Sequence, residues 1–218
     1  MYRMLTKYRT IHSFGSDEII ITKSKFIGYA KPISSEDEAI AFIQEIKSKH
    51  KDATHNVYAY VYGETNNIQR YSDDGEPSGT AGIPVLEVIK KEDLRNVVVV
   101  VTRYFGGIKL GAGGLVRAYT KGAKIGLDAG LIVDKVLFKK IKVRIDYTLY
   151  GKVENELLRL EYIINDIIYD DAVNIIILCE MENVDDLITL LTELTSSRMT
   201  YEELGEEYYS VKDNNLIK

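Results

Sequence analysis

Three carboxylates crowd into four positions of this chain, in the run Asp73-Asp74-Gly75-Glu76. Carboxylates this close together can bind a divalent cation or act as general acid and base. His55 stands just ahead of a strand-like run and would join them if the following hairpin folds back over the turn. The alternative is that Asp and Glu cap a helix and fill turns, as they commonly do. We therefore treat His55, Asp73, Asp74 and Glu76 as candidate catalytic residues, with both interpretations open.

A glycine-rich segment from Arg103 to Tyr119 joins an apolar run to a helix-like pattern. Glycine lets the backbone approach a ligand closely, and the start of a helix offers unpaired N–H groups to an anion. The glycines are Gly106, Gly107, Gly111, Gly113 and Gly114, and the cations around them are Arg103, Lys109, Arg117, Lys121 and Lys124. The last three cations follow helical spacing on one face. The segment predicts an anion- or nucleic-acid-binding surface; the alternative is a tight connection that needs glycine for packing alone.

Common cofactor and nucleophile patterns are missing from the sequence. The glycine-rich segment has neither the Gly-Lys-Ser/Thr of a phosphate-binding loop nor the G-x-G-x-x-G spacing of a dinucleotide site. Cys179 is the only cysteine, so an internal disulfide and a cysteine-cluster metal site are excluded. No serine or cysteine stands with a histidine in a nucleophile arrangement. We expect no cofactor, no resident metal and no covalent catalysis.

Charge is unevenly distributed along the 218 residues, although the net charge is only -5. Residues 100–145 carry ten Lys or Arg against two Asp or Glu, whereas residues 146–218 carry five against 17. An isolated basic block favours an anion-binding face, and the acidic end argues against nucleic acid wrapping the whole molecule. The alternative is that both segments are solvated faces.

The composition, with 45% hydrophobic and 28% charged residues, is typical of a globular chain that buries a core. The beginning lacks the apolar run of a signal peptide, and no stretch of about 18 apolar residues occurs. We therefore expect a cytoplasmic protein that does not interact with membranes.

In residues 1–135 the patterns alternate between strands and helices. Strands are predicted for residues 18–22, 25–30, 56–62, 68–71 and 97–102, and helices for about 36–50, 83–89 and 112–129. The β-branched run Val97–Thr102 indicates a central strand buried on both faces. Tyr58, Tyr60 and Tyr62 share one strand face, where they would either stack on bases or pack against the core.

A second pattern, in residues 136–218, reads β-α-β-β-α-β, the split βαβ or ferredoxin-like order. We expect two α+β domains, residues 1–135 and 136–218, with the connection near residues 131–139.

Ordered motifs across residues 15–130 resemble the YigZ/IMPACT family. They are His55-Asn56-x-Tyr58-Ala59-Tyr60, Asp73 to Gly82 with Pro84, Val101 to Gly107, and Leu110 to Tyr119. The resemblance implies an N-terminal domain with the fold of elongation factor G domain IV, shared with a ribosomal small-subunit protein. It also implies a left-handed βαβ crossover at the glycine-rich segment, against the usual hand. The ferredoxin-like second domain would correspond to domain V of the same factor.

The resemblance implies an interaction role, since the eukaryotic relatives are known as translational regulators that act by binding a partner protein. Together with the basic segment, it favours a non-catalytic protein that binds RNA, the ribosome or a translation-associated protein. The rival hypothesis is a hydrolase-like enzyme in which the glycine-rich turn binds a phosphate or nucleotide and Asp73, Asp74, Glu76 and His55 act on it.

Overall fold

The computed structural model describes residues 5–213 and 215–217. The chain divides into two compact units, one comprising Met1–Lys135 with Ser210–Lys218 and the other Val136–Tyr209. Both combine helices with antiparallel sheet, so the predicted α+β class is confirmed. Among the described residues, no helix combines the length and the apolar character needed to span a bilayer.

The first unit is built on a five-stranded antiparallel sheet. Its elements in chain order are β1 (Lys7–Ile11), β2 (Gly15–Ile21), β3 (Ser24–Pro32), α1 (Glu36–Lys49), β4 (His55–Tyr62), β5 (Ile68–Ser72), α2 (Gly82–Lys91), β6 (Val97–Tyr104) and α3 (Gly111–Ala129). The strand order is β2-β3-β6-β4-β5, with β1 outside this sheet. The positions of α1, α2 and α3 follow the predicted helical periods closely.

Strand β6 lies at the centre of this sheet and is buried on both faces, as its valine run predicts. Val98 and Val100 pack with Phe42 of α1 on one face. Val99 and Val101 belong to the core on the other face, with α2 and α3. An all-β-branched strand suits this place because each side of the pleat needs a bulky apolar side chain.

Helix α1 begins at a capping box formed by Ser34, Ser35 and Glu38. The Ser35 hydroxyl accepts from the Glu38 N–H at 3.1 Å, and a Glu38 carboxylate oxygen accepts from the Ser34 N–H at 2.7 Å. The Ser34 hydrogen bond lowers the pKa of Glu38. These bonds satisfy backbone donors at the helix start.

Two connections in this sheet join parallel strands on either side of a third strand: β3 to β4 through α1, and β5 to β6 through α2. Compared with the β3–β4 connection, the β5–β6 connection joins strands that run in the opposite direction. It also crosses the sheet in the opposite direction and covers the opposite face. Three reversals invert the hand, so one connection is left-handed. The crossover implied at the glycine-rich segment is wrong in position, because α3 is not followed by a strand of this sheet.

The second unit has the predicted β-α-β-β-α-β order. Its elements are β7 (Ile132–Ile145), α4 (Tyr147–Arg159), β8 (Ile163–Tyr169), β9 (Val173–Glu180), a 3-10 turn (Met181–Asn183), α5 (Val184–Thr195) and β10 (Met199–Lys212), and β11 (Asn215–Ile217) follows. The strand order is β10-β7-β9-β8. Val143, Ile175 and Ile177 of the sheet form a core with Val153 and Leu157 of α4 and with α5.

Two sequence-based boundaries differ from the structure. The connection expected near residues 131–139 is occupied by β7, which begins at Ile132 and pairs with β1. The last residues were assigned to the second domain, but Ser210–Lys218 cluster with the first unit. A contact with the first unit is the hydrogen bond between the Ser210 hydroxyl and His12 Nδ1, which are 2.9 Å apart.

We predict that Gly28→Ala destabilises the first unit by about 3 kcal/mol or more. A Cβ at Gly28 of β3 would lie 1.9 Å from the Gly122 carbonyl oxygen of α3, where only backbone could yield. Gly151→Ala in α4 is the control, because a Cβ there meets no atom within 4 Å and should add about 0.5–1 kcal/mol of stability. Calorimetric unfolding measures both, and an unchanged transition in Gly28→Ala would contradict the close packing.

Candidate functional site

A cavity of about 400 Å³ opens where four segments of the first unit meet. The segments are the start of β4, the turn after β5, the end of β6 and the start of α3. Its walls include His55, Glu76, Arg103, Phe105, Lys109 and Gly111. The two regions that the sequence singled out, the acidic turn and the glycine-rich segment, therefore contribute to one site.

Glu76 is the centre of this site, with a side chain only 4% exposed. Its Oε1 accepts hydrogen bonds from Arg103 Nη1 at 2.5 Å and from the Tyr119 hydroxyl at 2.7 Å. Burial, reinforced by the Glu76 carboxylate, raises the pKa of Tyr119 far above its usual range. The Tyr119 phenol therefore stays protonated and donates its hydrogen bond to Glu76. The buried carboxylate thus has two hydrogen-bond donors, one of which is the positively charged Arg103 guanidinium.

His55 is held with one ring nitrogen toward the backbone and the other toward Glu76. Nδ1 lies 2.8 Å from the Asp74 carbonyl oxygen, which can only accept, so Nδ1 carries a proton. Nε2 lies 3.7 Å from Glu76 Oε1. Nε2 is therefore the ring nitrogen that faces Glu76 at the cavity wall.

Asp73 is a capping residue, as the structural alternative held. Its Oδ1 accepts from the N–H groups of Ala81 and Gly82, at 3.1 and 2.8 Å, and its Oδ2 accepts from the Gly79 N–H at 2.9 Å. These donors lie at the start of α2, where the N-cap residue supplies no side-chain hydrogen bond. Asp73 stabilises that helix start and does not line the cavity.

Asp74 holds the turn against two other elements. Its Oδ2 accepts from the Asn56 N–H at 2.6 Å, and its Oδ1 pairs with Lys47 of α1 at 2.7 Å. The hypothesis that Asp73, Asp74 and Glu76 act together is wrong, because each carboxylate binds a different part of the fold. Within the described ranges, no group of three or more His, Cys, Asp or Glu side chains could hold a metal ion.

The start of α3 offers free backbone donors to the cavity. Its N-cap residue, Leu110, makes no side-chain hydrogen bond, and the first turn contains no acidic residue. Gly107 and Gly111 have φ angles of +84° and +69°, which favour glycine. Gly106 serves packing instead, because a Cβ there would lie 2.0 Å from the Lys23 carbonyl oxygen. The packing interpretation therefore applies to Gly106, and anion binding at Gly107 and Gly111 stays a prediction.

The cations of the glycine-rich segment divide into two groups. Lys109, Arg117 and Lys121 are exposed, and no ion pair is found for them in the part of the chain that the structure describes. Arg103 is buried against Glu76, and Lys124 pairs with Glu92 and Asp128, at 2.9 and 2.8 Å. Of the predicted binding cations, the exposed ones are therefore Lys109 just before α3 and Arg117 and Lys121 along it.

The rest of the basic block belongs elsewhere. Lys139, Lys140 and Arg144 lie on β7 in the second unit and pair with acidic side chains of that unit. The cations of residues 100–145 are therefore divided between the glycine-rich segment and β7.

Tyr119 and Phe105 are important site residues that the sequence analysis did not single out. Tyr119 follows Leu115 by four residues on the inner face of α3, where a buried hydroxyl needs a partner. That spacing was the available signal. Phe105 is 47% exposed, and its ring centroid lies 5.4 Å from the Arg103 guanidinium carbon.

The tyrosine row on β4 packs rather than forming a base-stacking platform. Tyr60 is buried and donates to Glu36 Oε1 at 2.6 Å, and Tyr62 donates to the Ser34 carbonyl at 2.9 Å. Tyr58 packs in the same cluster, beneath the Lys47 ammonium. The row anchors α1 to the sheet.

We predict that Tyr119→Phe destabilises the chain by about 1–3 kcal/mol near neutral pH, because a buried donor to a carboxylate is lost. The substitution should also make the free energy of unfolding fall less steeply with rising alkaline pH than it does in the wild type. The folded chain holds its phenol proton longer than the unfolded chain, whose pKa is about 10, so wild-type stability falls as pH rises above that value. Urea unfolding across that range measures both effects, with the exposed Tyr71→Phe as control. Identical pH profiles for Tyr119→Phe and the wild type would contradict this assignment.

Comparisons with known proteins agree with the arrangement of the chain. Residues 22–127 match the Impact N-terminal domain, and residues 143–198 match a domain of unknown function, DUF1949. The IMPACT family member YvyE of Bacillus subtilis is 46% identical over 215 residues, which cover 99% of both chains. The IMPACT family member YigZ of Escherichia coli is 33% identical over 151 residues, covering 65% of this chain and 74% of its own.

A crystal structure of a protein described as hypothetical shares the fold. It aligns with a TM-score of 0.58 at 26% sequence identity and covers 93% of this chain and 99% of its own. Because the match to YvyE extends over nearly the full length of both proteins, this chain belongs to the IMPACT family.

Proposed function

We propose that this protein is a non-catalytic, translation-linked regulatory protein of the cytoplasm that binds RNA through the start of α3. The observation that carries the proposal is the uncapped first turn of α3, with the exposed cations Lys109 just before the helix and Arg117 and Lys121 along it. Free N–H groups and the positive end of the helix dipole favour a phosphate at this place. Lysine and arginine add the charge that phosphate contacts use.

Charge on the second unit limits how much RNA the protein would contact. Most acidic residues of the chain's last third lie there, and many are exposed on β10. A polyanion would therefore contact the face around α3 of the first unit.

We also propose that the two units correspond to two domains of elongation factor G. The β-α-β-β-α-β order of the second unit supports a correspondence with domain V of elongation factor G, and the split crossovers of the first unit support one with domain IV. Domains of a translation factor act on the ribosome, so the ribosome or a translation-associated protein would be the setting in which the RNA is met. The role of the eukaryotic relatives, taken from the family resemblance, supports the same setting.

One observation favours a second candidate function, a hydrolase-like enzyme for a phosphate or nucleotide ligand. His55 Nε2 lies at the cavity beside Glu76, with Nδ1 fixed by the Asp74 carbonyl, as a general base would be. Release of phosphate from nucleotides by the full chain, lost in His55→Ala with the fold retained, would favour the enzyme. If the full chain releases no phosphate from nucleotides, only the RNA-binding role remains.

We expect single-stranded RNA to bind with a strong salt dependence, and Arg117→Glu and Lys121→Glu each to weaken it. Each lost phosphate contact should reduce the slope of log K against log salt by about 0.7. Lys91→Glu, an exposed position at the end of α2, makes the same charge change and should have little effect. Fluorescence anisotropy between 50 and about 200 mM salt measures the slopes. RNA binding that is absent or independent of salt would overturn this proposal.

A further inference from the structure

The cavity beside α3 differs from the open helix face in being concave. Its volume of about 400 Å³ falls in the range of pockets that enclose small organic ligands. A continuous RNA strand can lie along the exposed Arg117 and Lys121, but only a single unit of that strand can enter such a cavity. The cavity thus indicates recognition of one nucleotide.

One part of the cavity lining suits a phosphate. It is formed by the first turn of α3, including Gly111, and by Lys109. A Cβ at Gly111 would meet no protein atom within 4 Å, so the backbone there is open to a ligand. A terminal phosphate carries more charge than a backbone phosphate and gains more from N–H groups and an ammonium.

Arg103 supplies an independent sign of a ligand. Its side chain is 6% exposed and lines the cavity, and Nη1 is bound to Glu76. Its Nε is buried and has no hydrogen-bond acceptor among the described residues. A buried guanidinium with an unsatisfied N–H is uncommon, and a bound anion would supply the acceptor with a small rearrangement.

Another part of the cavity lining suits a base. Phe105 lies over the Arg103 guanidinium and is 47% exposed, and Leu110 and Pro77 add apolar surface. An aromatic ring backed by a cation is a stacking platform for any base, since every base has a π-face. The groups suited to a phosphate and those suited to a base therefore line the same cavity.

We propose that this cavity binds a nucleoside monophosphate unit, with its phosphate at the first turn of α3 and Lys109 and its base on Phe105. The unit is a free mononucleotide or the phosphorylated end of an RNA strand. This inference rests on the proposed RNA-binding function, and it names the part of the RNA that this site recognises.

The test compares binding of the full chain to labelled hexanucleotide RNAs that carry a 5′-phosphate, a 3′-phosphate or hydroxyl groups at both ends. We expect one phosphorylated RNA to bind about tenfold more tightly than the hydroxyl form. AMP should compete for the phosphorylated RNA, and adenosine should not. If AMP binds alone and no RNA does, the ligand is the free mononucleotide, and the proposed RNA function fails while this inference stands.

Matched variants separate the cavity from the helix face. Lys109→Gln should abolish the preference for a terminal phosphate, and Phe105→Ala should weaken the binding of AMP. Lys121→Gln should weaken all three RNAs equally. Ile108→Ala, an exposed apolar neighbour outside the cavity wall, should change nothing. Equal affinity for all three RNAs together with no AMP binding would overturn the inference and leave the proposed RNA function intact.

Discussion

The buried ion pair between Glu76 and Arg103 is the interaction on which the geometry of the site depends. Taking a carboxylate and a guanidinium out of water is costly, and the cost is offset only when both are well paired. Here a single carboxylate oxygen also accepts from Tyr119, so the turn after β5, the end of β6 and the middle of α3 are joined at one atom. Segments far apart in the chain therefore keep a fixed spacing around the cavity.

Backbone conformation explains why adjacent carboxylates in the turn serve different purposes. Asp74 and Gly75 have φ angles of +46° and +89°, which reverse the chain between Asp73 and Glu76. Asp73 points to the start of α2, Asp74 to β4 and α1, and Glu76 to β6 and α3. A sequence pattern records only that three acids are close together, so it suggested one metal or acid–base site. The positive φ angles of this Asp-Gly turn direct the three side chains to different partners.

Strongly periodic segments could be predicted from the sequence because their local pattern and their burial agree. The valine run of β6 and the capping box of α1 are examples, as is the order of elements in the second unit. β1, β11 and the first half of β7 could not, since they are short or weakly patterned and owe their structure to pairing with distant strands. For the site, the sequence identified both contributing segments. It missed Tyr119 and Phe105, whose roles depend on a buried partner and a stacked cation across the fold.

The central claim is that the first turn of α3 is where this protein meets phosphate. An NMR titration of ¹⁵N-labelled full chain with phosphorylated single-stranded RNA tests it most directly, because the proposed donors are backbone amides. The account predicts that the largest shifts occur at the N–H groups of Gly111, Ala112 and Gly113, with smaller changes along α3. Shifts confined to the second unit, with these three amides unmoved at saturation, would contradict it.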